Sequence, residues 1–489
     1  MSASGTAYND AAGTPVPPPP AYGSNSVADV FESAASLLGQ SSLEHPAHPL
    51  GNTSRDPLAL AQRLREAGAD PNGFRNVCVV MVDGLGEQLL QTYGSYAPYL
   101  KKTVSLGPLD AAFPTTTAAS LTSFGTASAP GAHGIAGYEV RNPATGTTMN
   151  HLSGWDKTVD PHTWQPLPTV FERYSTQTRV VTISLDKYRG SGLTEAGLRG
   201  GEFVGATGYD ARITYATELL ASRIPTLVYL YWGELDQAGH RHGAGSDTWL
   251  EQLEELNLAL RRLAQRAPAW AGIFLTADHG MVNIYPPSLR DLADSPALAQ
   301  DVRLIAGETR AVHVHAEPGR ARGVEERWRA ELGEGAWILN RAQMGALIGQ
   351  GPGADAVGDL LVLARGRGGV RSVRAAGVDG TGYGDGLAHV LPPGRVPGGG
   401  RPGDDLRHLR HGRVLRRRLP GPHRLRALGG GAHAPGSADV GRPGGPAPRG
   451  GARFGGPSDG AGARRARRAG ADEVFGSLGA GGTCGADRA

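Results

Sequence analysis

The chain has 489 residues, 39% of them hydrophobic, enough for a sizeable core and, as a soft prior, for up to about three domains. Its net charge of +3 averages two unlike stretches: residues 366–489 hold 21 Arg, no Lys and 9 acids, a net +12, whereas residues 1–365 hold 28 basic and 37 acidic residues, a net −9. The same C-terminal stretch holds 34 of the 74 Gly and no Ile or Met, which excludes one uniform globular chain and makes the overall charge a poor guide to partners.

Residues 1–25 contain a Pro-rich run, with no basic patch and no apolar segment, and read as a disordered leader rather than a signal peptide. Residues 26–38 have helical spacing, with Val27, Val30, Phe31 and Leu37 near one face. In 57–67, Asp56 and Pro57 look like a cap followed by a first-turn proline. Residues 76–84, NVCVVMVDG, are a continuous apolar run ending in Asp-Gly, the pattern of a strand buried on both faces. The pattern returns at 179–185, 226–236 and 272–280, and between the last two a stripe of Leu250, Leu253, Leu256, Leu260 and Leu263 marks a helix over 246–265. Further strand candidates are 311–315 and 359–364. Strands alternating with helices predict an α/β fold with a mostly parallel central sheet sandwiched by helices. No stretch approaches the roughly 18–20 apolar residues of a membrane span. Cys78 and Cys484, the two cysteines, give no disulfide framework. A cytoplasmic protein without a membrane partner is the expectation.

Asp83, Asp236 and the Asp278-His279 pair share one placement, just past the end of an apolar run. In open α/β sheets, ligands bind beyond the carboxyl ends of the strands. Three carboxylates gathered there repel one another, and cations relieve the repulsion. His240, four residues after Asp236 with Gly239 to allow a turn, adds a second imidazole. Mixed oxygen and nitrogen donors suit zinc, with manganese as the harder alternative. Five candidate ligands exceed the three of a single catalytic zinc, so two metals roughly 4 Å apart are expected. Singly, each residue has an ordinary explanation, Asp as a cap or turn residue and His240 as a surface group; the repetition at three strand ends is what argues for a site. A nucleophile candidate lies in 113–138, where Thr115 to Ser123 can open a helix whose N-terminus would face a phosphoryl group. The same Ser/Thr-rich run also suits a plain N-cap.

These residues together resemble the alkaline phosphatase superfamily and, within it, the type I phosphodiesterase / nucleotide pyrophosphatase family. The motifs are VVMVDGLG (79–86), FPTTTAASLTSFGT (113–126), GAHGIAGY (131–138), ELDQAGHRHG (234–243) and TADHGM (276–281), and the likeness runs from about 26 to 365. The resemblance implies Thr117 as nucleophile, one zinc held by Asp83, Thr117, Asp278 and His279, and a second held by Asp236, His240 and one further histidine. It implies hydrolysis of a phosphodiester or pyrophosphate bond in a small nucleotide-type substrate, by two in-line displacements through a phosphothreonine. A phosphonate or phosphomonoester hydrolase on the same scaffold is the alternative. The sequence departs from the family in two places: Tyr138 stands where eukaryotic members carry an Asn that binds a phosphoryl oxygen, and the small Ala118 and Ala119 offer no apolar nucleotide wall.

The resemblance places the last histidine downstream of the 359–364 strand, followed by Gly-Ser and later Ala-Glu, and no such string occurs. His389 is the nearest histidine, and its neighbours do not match. Excess Gly, Arg, Ala and Pro is the signature of GC-rich DNA translated out of frame, and codons for Asp385–Gly399 can be chosen so that a neighbouring frame spells His-x-Ser-x-Leu-x-Ala-Glu. The expected organisation is therefore a leader (1–25), a catalytic domain (26–370) and a low-complexity tail (371–489) displaced by a frame shift, leaving a product short of one zinc ligand. The tail's Arg runs suit non-specific nucleic-acid binding, but Phe454 is the one aromatic residue between 400 and 470, so base stacking is scarce and a specific nucleic-acid partner is not expected.

Overall fold

The computed structural model describes residues 16–38 and 54–371. His389 and the proposed frame shift lie outside the described residues, as does the tail beyond Arg371. The strands in chain order are β1 (Asn76–Val82), β2 (Glu139–Arg141), β3 (Thr148–Asn150), β4 (Arg179–Ser184), β5 (Glu202–Gly205), β6 (Thr226–Trp232), β7 (Ala271–Thr276), β8 (Leu289–Asp291), β9 (Val302–Glu308), β10 (Ala311–Ala316), β11 (Ala336–Asn340), β12 (Leu360–Ala364) and β13 (Gly369–Arg371).

The central sheet has the order β5-β4-β6-β1-β7, and every pairing in it is parallel. Every residue of β1 is buried because both faces are covered. Cys78, Val80 and Val82 face one layer with Leu253, Leu256 and Leu260, while Val77, Val79 and Met81 face the other with Phe31, Leu121 and Phe124. This two-sided burial is why the strand reads as an unbroken apolar run. The predicted leucine-striped helix is Asp247–Arg266, with Leu253, Leu256, Leu260 and Leu263 fully buried. Each such side chain contributes about 1.5–3 kcal/mol of transfer free energy.

The 311–315 and 359–364 candidates are strands, but they belong to a second, antiparallel sheet of order β11-β12-β10-β9. Asp56 does cap a helix, though not one begun by Pro57: its carboxylate accepts from Leu60 N at 2.6 Å and Ala61 N at 2.8 Å, and the helix is Leu60–Glu66. Residues 16–25 of the expected leader pack on the domain. Val16 is buried, the Tyr22 hydroxyl accepts from Phe113 N at 2.9 Å, and Ala21 N donates to Asp110 at 3.0 Å. Cys78 is a free, buried thiol. Among the described residues no helix is long and apolar enough to cross a membrane.

Candidate active site

Strand register sets the site. Val82 of β1 is level with Trp232 of β6, and Met81 is level with Thr276 of β7. The three segments that follow therefore leave the sheet at one edge, carrying Asp83, Asp236 and Asp278-His279. The strand expected over 226–236 ends at Trp232, and the turn expected at Gly239 is absent. Residues Glu234–His242 form a helix, whose i, i+4 spacing brings His240 Nε2 to 3.4 Å from Asp236 Oδ1. Gly239 serves packing instead: a Cβ there would meet Met281 Sδ at 2.3 Å. Gly84, at φ +74°, allows the close approach of the first two segments, since a Cβ would lie 3.0 Å from Asp236 Oδ1.

Thr117 is the first residue of the helix Thr117–Thr126, capped by the Thr116 hydroxyl, which accepts from Ala119 N at 3.4 Å. The cap and the nucleophile candidate are thus adjacent hydroxyls with separate tasks. Thr117 Oγ1 lies 3.0 Å from His279 Nε2 and 3.5 Å from Asp83 Oδ1. His279 Nε2 lies 3.2 Å from Asp83 Oδ1 and 3.6 Å from Asp278 Oδ2. Its Nδ1 is 2.9 Å from Gly280 O, which assigns the proton to Nδ1 in the neutral ring and leaves the Nε2 lone pair facing the site. Asp278 Oδ1 accepts from Gly84 N at 3.1 Å and His279 N at 2.9 Å.

Donor atoms of Asp83, Asp236 and His279 lie within 4.8 Å of one another, a group drawn from both of the ligand sets that the resemblance implied. Asp236 Oδ1 and Asp278 Oδ2 are buried and make no hydrogen bond among the described residues. The electrostatics follow from this crowding. Burial and then the Asp83 charge push the Asp278 carboxyl up to about 8, and the same two causes push Asp236 well above the carboxylate range. Burial also opposes charge on Asp83, but hydrogen bonding and charge from His279, with a hydrogen bond from Tyr231, hold it below its ordinary value. Burial opposes charge on His279 too, and the Asp278 and Asp83 carboxylates overcome it, raising the imidazole well above its usual range.

Three contributors went unread in the sequence. The Tyr231 hydroxyl donates to Asp83 Oδ2; it was hidden inside an apolar strand, although register places it beside the end of β1. Met281 fills the gap between Gly84 and Gly239, and Asn283 bonds Ala244. The described residues supply no third ligand beside Asp236 and His240, and Tyr138 is partly buried on the segment before β2.

The sequence model for "Type I phosphodiesterase / nucleotide pyrophosphatase" matches residues 77–365. Human ectonucleotide pyrophosphatase / phosphodiesterase 5 is structurally similar at a TM-score of 0.52 and 15% identity, over 69% of this chain and 87% of that one. Phosphonoacetate hydrolase from Sinorhizobium meliloti, solved with phosphonoformate, is similar at a TM-score of 0.51 and 17% identity, over 71% of this chain and 92% of that one. At these identities the likeness is one of fold. Among curated proteins no match is found.

Proposed function

The chain belongs to the type I phosphodiesterase / nucleotide pyrophosphatase family of the alkaline phosphatase superfamily, and on that premise we propose that it is a metal-dependent hydrolase of nucleotide-type phosphodiester or pyrophosphate bonds with Thr117 as nucleophile. One observation carries the reading: a hydroxyl at a helix N-terminus lies within 3.0 Å of His279 Nε2 and 3.5 Å of Asp83 Oδ1.

The donor set fits a divalent cation, because two buried carboxylate oxygens have no hydrogen-bond partner among the described residues and three donors lie within 4.8 Å of one another. Asp83, Thr117, Asp278 and His279 would hold one ion, and Asp236 and His240 a second. Nitrogen donors favour zinc over manganese. Bound there, such ions lower the pKa of a hydroxyl or water and offset charge on the transferred group. The remaining work belongs to the chain. Thr117 Oγ1, its proton directed at Asp83 Oδ1, attacks phosphorus as the bond to the leaving oxygen breaks, and that proton ends on the departing oxygen. Water then attacks phosphorus of the phosphothreonine as the Oγ1–P bond breaks, one water proton restores the Thr117 hydroxyl, and the phosphorylated product leaves. The first-turn amides of the Thr117–Thr126 helix face the phosphoryl oxygens. The catalytic domain in this reading covers residues 26–370.

A phosphonate or phosphomonoester hydrolase is a second reading. It is favoured by Ala118 and Ala119, which are buried beside Thr117 and offer a nucleobase no wall. A third reading, an impaired product, rests on the two-residue donor set of the second ion. Assaying a phosphodiester, a phosphomonoester and phosphonoacetate in parallel with added zinc decides between the first two: the proposal expects the diester to be cleaved fastest, and preference for either other substrate overturns it. Two zincs per purified chain would contradict impairment, and the coding nucleotide sequence decides the frame shift.

A further inference from the structure

We infer that Asn283 is a positioning residue that fixes the spacing between the two halves of the metal centre, an inference that rests on the metal-dependent reading above. The halves have no direct link through the sheet. Asp236 and His240 follow β6, Asp278 and His279 follow β7, and β1 lies between those strands. The sheet places the two segments through β1, and above the sheet edge their spacing is set by contacts between the Glu234–His242 helix with its exit and the loop after β7.

Asn283 makes the polar part of that contact with both ends of its amide. Oδ1 accepts from Ala244 N at 2.9 Å and Nδ2 donates to Ala244 O at 2.8 Å. Ala244 lies two residues beyond the helix that carries Asp236 and His240, and Asn283 lies four residues beyond His279. The pairing needs a donor and an acceptor at one fixed reach, which an amide of this length supplies and a hydroxyl or methyl does not. The backbone carbonyl of Asn283 accepts from Arg367 Nε at 2.8 Å, anchoring the loop from its other side. Met281 makes the apolar part. A Cβ on Gly239 would lie 2.3 Å from its Sδ, and one on Gly84 would lie 3.3 Å from its Cγ, so loop, helix and the Asp83 segment are in close contact. Ligand constellations tolerate about 0.5 Å of displacement, so releasing this clasp loosens the donors without removing one.

The test is zinc binding to the full chain by calorimetry or a competing chelating dye, well below the unfolding midpoint, with circular dichroism confirming the fold. Asn283→Ala and the milder Asn283→Ser are each expected to bind zinc roughly 10–100-fold more weakly than the unsubstituted chain, the usual range for groups that orient ligands. Asp236→Asn is the control that removes a ligand. Unchanged zinc affinity in folded Asn283→Ala or Asn283→Ser, beside a weakened Asp236→Asn, overturns the role of Asn283 and leaves the metal reading intact. No zinc binding by the unsubstituted chain, or binding by Asp236→Asn equal to it, overturns the metal reading itself.

Discussion

Two groups of buried ionisable side chains contrast within this molecule. At the edge of the central sheet, Asp83, Asp236, Asp278 and His279 share a confined space, where Asp83 and His279 favour their charged forms and Asp236 and Asp278 are pushed towards the neutral one. Between residues 131–152 and the second sheet, His133, His151, His313 and His315 are also buried, and burial pushes their imidazoles down to about 3, 4, 3 and 4. The second group stays neutral and is pinned largely by backbone. His133 Nδ1 accepts from Ile135 N at 3.1 Å, His151 Nδ1 donates to Gly137 O at 2.8 Å, and His313 Nδ1 accepts from Gly358 N at 3.3 Å. Three of its Nε2 atoms make no hydrogen bond among the described residues, but a neutral unpaired nitrogen costs far less than an unpaired charge. Burial alone does not mark a site; carboxyls crowded until they oppose one another's ionisation, beside a nucleophile, do.

The largest expected effect separates chemistry from packing. Thr117→Ala should lower kcat/KM by roughly 10³-fold or more, about 4 kcal/mol of transition-state stabilisation, with the thermal midpoint little changed. Substantial residual activity would remove Thr117 from its role.

Next in size is the response of the histidine group to acid. Its folded-state pKa values are below the unfolded value of about 6.5, so the unfolded chain binds the extra protons. That contribution to stability is complete above about pH 6.5 and is lost as pH falls towards 4 and 3. Each histidine contributes about 1.4 kcal/mol per pH unit within that window. Glu139 and Asp29, pushed by burial up to about 7 and about 6, and Asp278 and Asp236, raised by burial and the Asp83 charge, act in the opposite direction, so the histidine contribution is read as a difference. His151→Gln should remove about 1.4 kcal/mol per pH unit of acid destabilisation between about pH 6 and 4.5, read from urea unfolding of both chelator-treated chains. Parallel pH profiles for the two chains would show that His151 is not held neutral.

A smaller effect tests how the charged group is oriented. Tyr231→Phe removes one hydrogen bond to Asp83 and should lower kcat/KM roughly tenfold with the fold retained. Activity equal to the unsubstituted chain would mean that Asp83 needs no such support.

The parallel core was legible because β1, β4, β6 and β7 are buried on both faces, which leaves continuous apolar runs. The candidate ligands were legible because they follow those runs directly. The helix around Asp236 was not, since Leu235, Ala238 and Gly239 are its only buried residues and its packing depends on Met281, distant in sequence. The second sheet was read only as isolated strands, because buried His313 and His315 alternate along β10 as polar residues would. Composition pointed to a free leader, whereas Tyr22 and Val16 are fixed by tertiary contacts.

The central claim is that the sheet-edge group is a cation site serving Thr117, and metal removal tests it most directly. Hydrolysis of a chromogenic phosphodiester should vanish when the purified chain is treated with a chelator and return on adding zinc, with no return in Asp236→Asn. Full activity after complete chelation, or full zinc-restored activity in Asp236→Asn, would contradict the account.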